Sequence, residues 1–258
     1  MIADSVITIR ALGDNFICLC PYSQDDTFVV DPCDSSAVLR VVTERGLNLT
    51  TILATHHHWD HVGGISELKK ATGCRVIGGD KRRIPAIDRC VGDGDIITAG
   101  RAEIRVIATP GHTRTSVCYY VSPSADEEHG VVFTGDTMFV GGCGRLLECE
   151  AETMLGSLLK LARLPDGTRV YCGHDYALEN YQFALRIEPS NMAVQQRLEQ
   201  LRKQTAQGHP TVPSTILDEK TTNPFLRTHS PELKRALNMP DADTVAVFAE
   251  LRRRKNLF

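Results

Sequence analysis

The sequence predicts a mixed α/β domain followed by a mostly helical segment, and three observations carry that reading. Short β-branched and apolar runs alternate with helical patterns as far as residue 175. Strand signals stop near Tyr176. Several of the strand-like runs end in a glycine next to a histidine or an aspartate. The expected division is therefore 1–175 for the α/β domain and 176–258 for the helical one. A chain of 258 residues has room for one sizeable domain and a small appendage, and 42% hydrophobic residues are enough to bury a core.

The elements follow in order. Val6–Leu12, Phe16–Pro21 and Thr27–Val30 read as strands, the last ending in Asp31-Pro32. Ser36–Arg45 has helical periodicity, Thr50–Ala54 is a strand, and Val62–Thr72 is a helix before a short strand at Arg75–Ile77. Strand-like runs return at Glu103–Ala108, Val117–Val121, Val131–Thr134 and Thr168–Cys172. Between the last two, Glu152–Leu164 has a helical pattern, with Leu155, Leu158, Leu159 and Ala162 assigned to one face. Asn191–Gln207 reads as a polar amphipathic helix. Prolines 210, 213, 224 and 231 then punctuate the chain before helical stretches at Glu232–Leu237 and Asp243–Arg254.

Composition excludes several classes. A net charge of -3 gives no reason to expect nucleic-acid binding. No apolar run approaches the ~20 residues of a membrane helix, so no membrane association is expected. Met1–Arg10 lacks the pattern of a secretory signal. Nine cysteines without a C-x-x-C pair indicate reduced thiols and a cytoplasmic setting. Most should behave as small buried hydrophobes, with Cys18 and Cys20 on one face of a strand.

The segment Thr55-His56-His57-His58-Trp59-Asp60-His61-Val62-Gly63-Gly64 is the most informative. Imidazole nitrogens and carboxylate oxygens both suit zinc and similar divalent ions. His56 and His58, two apart on an extended turn, can face one ion; Asp60 and His61, where a helix begins, can face a second. The bend behind them is eased by Gly63 and Gly64. A histidine-rich surface loop would explain this segment alone. It would not explain three further strand ends at Gly111-His112, Gly135-Asp136 and Gly173-His174. In open α/β sheets, strand ends are where loops converge on a site.

The order His-x-His-x-Asp-His, then His, Asp and His after successive strands, resembles the metallo-β-lactamase superfamily. That resemblance implies an αββα sandwich with metal at one edge, followed here by a small helical C-terminal domain. It also implies two divalent ions per chain, zinc foremost, with iron and manganese compatible with the same donors. One ion takes His56, His58 and His112; the other takes Asp60, His61 and His174; Asp136 bridges both. Within the superfamily, residues 55–64, Gly135-Asp136-Thr137-Met138-Phe139, Gly142-Cys143-Gly144-Arg145, Gly173-His174-Asp175-Tyr176, Asn180 and Asn223-Pro224-Phe225-Leu226-Arg227 are similar to the glyoxalase II, or hydroxyacylglutathione hydrolase, family. Asp14-Asn15-Phe16 fits as well, so the resemblance spans nearly the whole chain.

The implied reaction is hydrolysis of S-(2-hydroxyacyl)glutathione, S-D-lactoylglutathione in particular, by a hydroxide shared between the two ions. Asp60 is both a ligand and a candidate for orienting the nucleophile. A thiol with pKa about 8.5 leaves as an anion without an obligatory general acid. The resemblance further implies that Arg252 and Lys255 hold the glycyl carboxylate, with Arg145 and Tyr176 on the peptide part. Arg252 and Lys255 are spaced to share a helix face. Residues 252–255 read without the resemblance are a solvated charge run at a helix end.

Three positions depart from the family pattern: Leu147 where tyrosine is common, Arg145 where lysine is frequent, and Cys33 for a glycine. His57 should point away from the metals, and His129, His209 and His229 should be solvated. Trp59 is expected to pack beside the site, Asp31 to hydrogen-bond a ligand histidine, and Cys143 to be non-catalytic. A monomer is expected. The alternative enzyme is a persulfide dioxygenase-like relative with a single iron, which needs only two histidines and a carboxylate. A β-lactam hydrolase, a nuclease and a non-enzymatic binding protein fit less well, the last because no ligand position is lost.

Overall fold

The computed structural model of the chain describes residues 5–22, 25–99, 102–123 and 128–258. Two six-stranded sheets face each other, with helices on both outer sides.

The first sheet runs in chain order: β1 (Ile7–Ala11), β2 (Asn15–Pro21), β3 (Thr27–Val30), then α1 (Ser35–Glu44) before β4 (Leu49–Ala54). Next come α2 (Trp59–Val62) and α3 (Ile65–Thr72), then β5 (Arg75–Gly78) and β6 (Arg89–Cys90) at the edge. Strands β3, β4 and β5 pair in parallel, which requires crossovers long enough to hold a helix. Asp34 caps α1 by accepting from the backbone of Ser36 and Ala37. The helix expected over 62–72 is broken into α2 and α3, because its Gly63-Gly64 pair lies against the carbonyls of Cys33 and Pro32.

The second sheet is built from β7 (Ile96–Ala99), β8 (Ala102–Ala108), β9 (Val117–Val121) and β10 (Val131–Gly135). After the small hairpin β11 (Met138–Phe139) and β12 (Gly142–Cys143), α4 (Ala151–Leu161) leads to β13 (Arg169–Cys172). Beyond lie α5 (Ala177–Ile187) and α6 (Met192–Ala206). Then β14 (Ser214–Thr215), α7 (Ile216–Thr222), a 3-10 turn at Pro224–Leu226, α8 (Pro231–Ala236) and α9 (Thr244–Asn256) complete the chain. The expectation that no strand follows residue 176 is corrected by β14, which pairs antiparallel with β13 at the sheet edge. Two residues are too short to leave a period-2 pattern.

Because most central strands are covered on both faces, they read as continuous apolar runs. On β2, Phe16, Cys18 and Cys20 point into the core between the sheets, while Ile17 and Leu19 join Val38, Ile65 and Leu68 under the outer helices. On the second sheet, Ile104, Tyr119 and Phe133 face inward; Cys118, Tyr120 and Val132 face α4 and the C-terminal helices. The buried Tyr119 hydroxyl crosses between sheets to donate to the Ala54 carbonyl at 2.8 Å, so its polar atom is satisfied. Leu159, assigned to the buried face of α4, is instead 43% exposed; Met154, Leu155, Leu158 and Leu161 form that face. Seven of the nine cysteines are buried, Cys18 and Cys20 on the same strand face as expected. No helix among the described residues is long and apolar enough to cross a membrane.

The helical segment also fixes the β11–β12 hairpin. The fully buried Glu219 of α7 accepts from the Gly141 amide and from Asn223 Nδ2, both at 2.9 Å. Asn223 Nδ2 also donates to the Gly142 carbonyl at 2.9 Å. Burial pushes the Glu219 carboxyl up from its ordinary 4.5 to about 7. Between those two values the folded chain keeps a proton that the unfolded chain has lost, so stability falls as pH rises through that window. Glu219→Gln keeps the acceptor and removes the ionisation. Its stability relative to wild type should therefore rise between pH 4.5 and about 7 and then level off, as read by urea unfolding at stepped pH.

Candidate active site

The seven side chains singled out as donors meet at one edge of the sandwich. His56, His58, Asp60 and His61 follow β4; His112 lies between β8 and β9; Asp136 follows β10; His174 follows β13. Their donor atoms form one group of His56, His58 and His112 and another of Asp60, His61 and His174, each lying within 4.8 Å of one another. In the first, His58 Nδ1 is 3.1 Å from His56 Nε2 and 3.0 Å from His112 Nε2. In the second, His61 Nε2 and His174 Nε2 are 3.2 Å apart, with an Asp60 oxygen 3.4 Å from His174. Asp136 stands between the groups: Oδ2 is 3.5 Å from both His112 Nε2 and His174 Nε2, and Oδ1 is 3.4 Å from His61 Nε2.

Local backbone explains the convergence. His58 is extended (φ -62°, ψ 143°) and precedes the short helix α2, so His56 and His58 share a side before Asp60 and His61 turn in with the helix. Gly135 has φ 48°, and a side chain there would collide with Thr55. A Cβ on Gly173 would stand 2.6 Å from Asp136 Oδ1 and 2.7 Å from His61 Cε1. The glycines before Asp136 and His174 are therefore required by backbone conformation in one case and by space in the other.

The outward nitrogens of four of these rings are tied down. His61 Nδ1 lies 2.9 Å from Asp31 Oδ2, and His174 Nδ1 lies 3.0 Å from Asp14 Oδ1. His112 Nδ1 faces the Arg145 carbonyl at 2.9 Å, and His56 Nδ1 faces Thr55 Oγ1 at 3.0 Å. Asp31 also accepts from the Thr55 amide (2.7 Å) and hydroxyl (2.6 Å), so its oxygens are committed to holding neighbours in place. Asn15 Nδ2 donates to the Asp60 carbonyl at 2.8 Å. With Nδ1 donating outward, each ring turns an Nε2 lone pair toward the centre.

Those inward lone pairs fit a bound cation. Asp136 Oδ1 is buried without a hydrogen-bond partner, and His61 and His174 bring two nitrogens face to face. Burial and the adjacent His61 keep His56 well below its ordinary pKa, and burial with His112 takes His58 down to about 4. In the first group, His56 and His58 are thus held as neutral imidazoles. In the second, burial opposes charge on His174, yet the Asp136 and Asp60 carboxylates lift it to about 11. For Asp136, burial acts to raise the pKa, but His61 and His174 hold it far below the usual carboxylate range. This end of the cluster is built around positive charge. Such a donor set belongs to divalent metal ions.

Above the cluster opens a cavity of about 380 Å³, walled in part by Arg145, Leu147, Tyr176, Glu179, Arg252 and Lys255. Tyr176 stacks on the His174 ring at 4.8 Å. Arg252 and Lys255 both face this cavity from α9, whereas Arg253 and Arg254 bind Glu250 at 2.7 and 2.8 Å. The four-residue basic run is thus divided between pocket and surface. Leu147, 58% exposed, stands at the mouth. His57 turns away toward Glu148, 3.9 Å distant, and His209 and His229 are exposed. His129 is partly exposed near Glu128. Trp59 does not pack as expected; it is 72% exposed and outside the cavity wall, because the first position of α2 points to solvent. Cys143 is buried, and burial lifts its thiol to about 11, which suits a wall residue rather than a nucleophile. The sequence marked Asp14, Asn15 and Thr55 only as motif positions without a role, and did not single out Glu179. Asp14 meets His174 across 160 positions of chain, a pairing without a local pattern.

Residues 17–174 match the metallo-beta-lactamase superfamily, and residues 175–258 match the hydroxyacylglutathione hydrolase C-terminus. A hydroxyacylglutathione hydrolase of Methylococcus capsulatus is 44% identical, covering 98% of both chains. One from Rhodospirillum rubrum is 45% identical over 97% of each. Among solved structures, ETHE1 from Myxococcus xanthus superposes with a TM-score of 0.68 at 25% identity, covering 98% of this chain and 92% of the other. The chain belongs to the metallo-β-lactamase superfamily and, within it, to the hydroxyacylglutathione hydrolase family.

Proposed function

We infer that this chain is a hydroxyacylglutathione hydrolase, cleaving the thioester of glutathione with a 2-hydroxy acid such as D-lactate. The observation that carries the reading is a seven-residue donor cluster forming the floor of a cavity whose wall presents Arg145, Arg252 and Lys255.

His56, His58 and His112 would hold one divalent ion, and Asp60, His61 and His174 a second, with Asp136 serving both. Zinc suits these donors, as do iron and manganese. When bound, the ions supply an acidified water and an electrophile for the thioester carbonyl. The chain's residues do the rest. Asp31, Asp14, Thr55 and the Arg145 carbonyl fix the imidazole rings. Asp60, with a quarter of its side chain exposed beside the cavity, orients the attacking water. Arg252 and Lys255 hold the glycyl carboxylate, and Arg145 and Tyr176 the peptide part. The departing thiol, pKa about 8.5, leaves without a proton donor. In this division, 1–175 provides the metal donors and the Arg145 side of the wall, and 176–258 the rest of the wall; His174 and Tyr176 stand on either side of the boundary. A glutathione thioester is the substrate partner.

Hydrolysis of S-D-lactoylglutathione by metal-analysed protein tests the reading. Metal content per chain and oxygen uptake on glutathione persulfide separate it from single-iron oxygenase chemistry, which does not need Asp60, His61 and His174 together. Asp136→Ala should abolish turnover, by at least about a hundredfold, while glutathione still binds; unchanged turnover would reject a role for Asp136 on both ions. Lys255→Ala and Arg252→Ala should each raise KM by roughly tenfold or more, and an unaltered KM would remove the carboxylate clamp. Asp14→Asn should weaken the second ion about 10- to 100-fold in chelator competition while the first stays bound.

A further inference from the structure

The cations of the cavity wall differ in how they are held. Arg252 is built into the protein: its guanidinium donates to the Cys143 carbonyl at 2.8 Å and to Asn256 Oδ1 at 3.0 Å, and lies 5.2 Å from the Phe225 ring. Lys255 is held by an anion. Its ammonium forms an ion pair with Glu179 and otherwise faces the rings of Phe258 and Phe183, at 5.2 and 5.9 Å. The lysine side chain is only 7% exposed and its partner 58%. Glu179 belongs to the first turn of α5 and lines the same cavity.

We propose that Glu179 is an affinity-setting residue: it occupies Lys255 in the free protein as an internal stand-in for the substrate's carboxylate. Binding then exchanges one carboxylate for another at Lys255 instead of creating a new ion pair. A lysine set among aromatic rings with no anion would lose part of its charge to desolvation, and burial does lower Lys255 from its ordinary value. Glu179 keeps the ammonium charged and aimed until ligand arrives. Being mostly exposed, it can turn to solvent at little cost, whereas Arg252 cannot move without abandoning buried partners.

Glutathione released as product carries the same carboxylates as the thioester that entered. A competitor at Lys255 therefore loosens the hold on product as well as on substrate, and so limits product inhibition. This inference rests on the glutathione reading of the cavity and adds a residue to it.

The test uses full-length, metal-loaded protein and titration calorimetry with glutathione and with its glycyl ethyl ester, which lacks the carboxylate in question. Glu179→Gln keeps the size of the side chain and removes its charge. It should tighten glutathione about two- to fivefold, the range of a partly exposed ion pair, and leave the ester within experimental error. Glu179→Ala should shift glutathione in the same direction. Unchanged or weaker glutathione binding in Glu179→Gln would overturn the proposal, because Glu179 would then only order Lys255. So would an equal shift for both ligands. A wild-type chain that bound neither ligand would overturn the glutathione reading itself, and this inference with it.

Discussion

Crowding imidazoles and carboxylates into a desolvated pocket is unfavourable unless something compensates them, and much of this structure is arranged around that compensation. Five histidines and two aspartates converge with their unshared electron pairs directed at one another. Divalent cations resolve the conflict on the inside. On the outside it is resolved by the partners of the ring nitrogens: Asp31, Asp14, Thr55 and the Arg145 backbone. Cluster and surroundings are one hydrogen-bonded assembly, and the sandwich supplies the rigidity it needs.

The sandwich does this because its parallel strands end on the same side. β3, β4, β10 and β13 deliver Asp31, the 56–61 turn, Asp136 and His174 to one edge. The inner core of Phe28, Phe133 and Tyr171 packs ring against ring behind them, with centroids 5.8–5.9 Å apart. The chemistry is thus set on strand termini, whose positions are fixed by ladders, while the wall of the cavity comes from loops and from α9.

The seven donor positions were legible in sequence because four cluster directly after a strand and His112, Asp136 and His174 each follow a glycine near a strand end, so that a local pattern reports a long-range fact. Asp31 and His57 stand where the pattern put them, Asp31 on His61 and His57 turned away toward Glu148. What remained hidden lacked a local signature. Asp14 and His174 are far apart in the chain and meet only when β2 and β13 are brought to the same edge, where Phe16 donates to the Gly173 carbonyl at 2.8 Å. Glu179 lies in a stretch to which the sequence assigned no element; its meaning depends on its contact with Lys255 of α9. Leu159 and Trp59 went the other way, as apolar residues whose helical phase carries them outward. The hydrophobic period fixes a helix's buried stripe only to within a residue or so.

The two-residue strand β14 has a wider consequence. Its pairing with β13 caps the backbone donors and acceptors along the margin of the second sheet. A fragment ending at residue 175 would leave that margin bare, with the apolar Val170 and Tyr171 beside it, the kind of sticky ledge that recruits other chains into aggregates. Separating the two matched regions by truncation would therefore not release an autonomous catalytic module. The C-terminal segment thereby covers a sheet margin that would otherwise invite self-association.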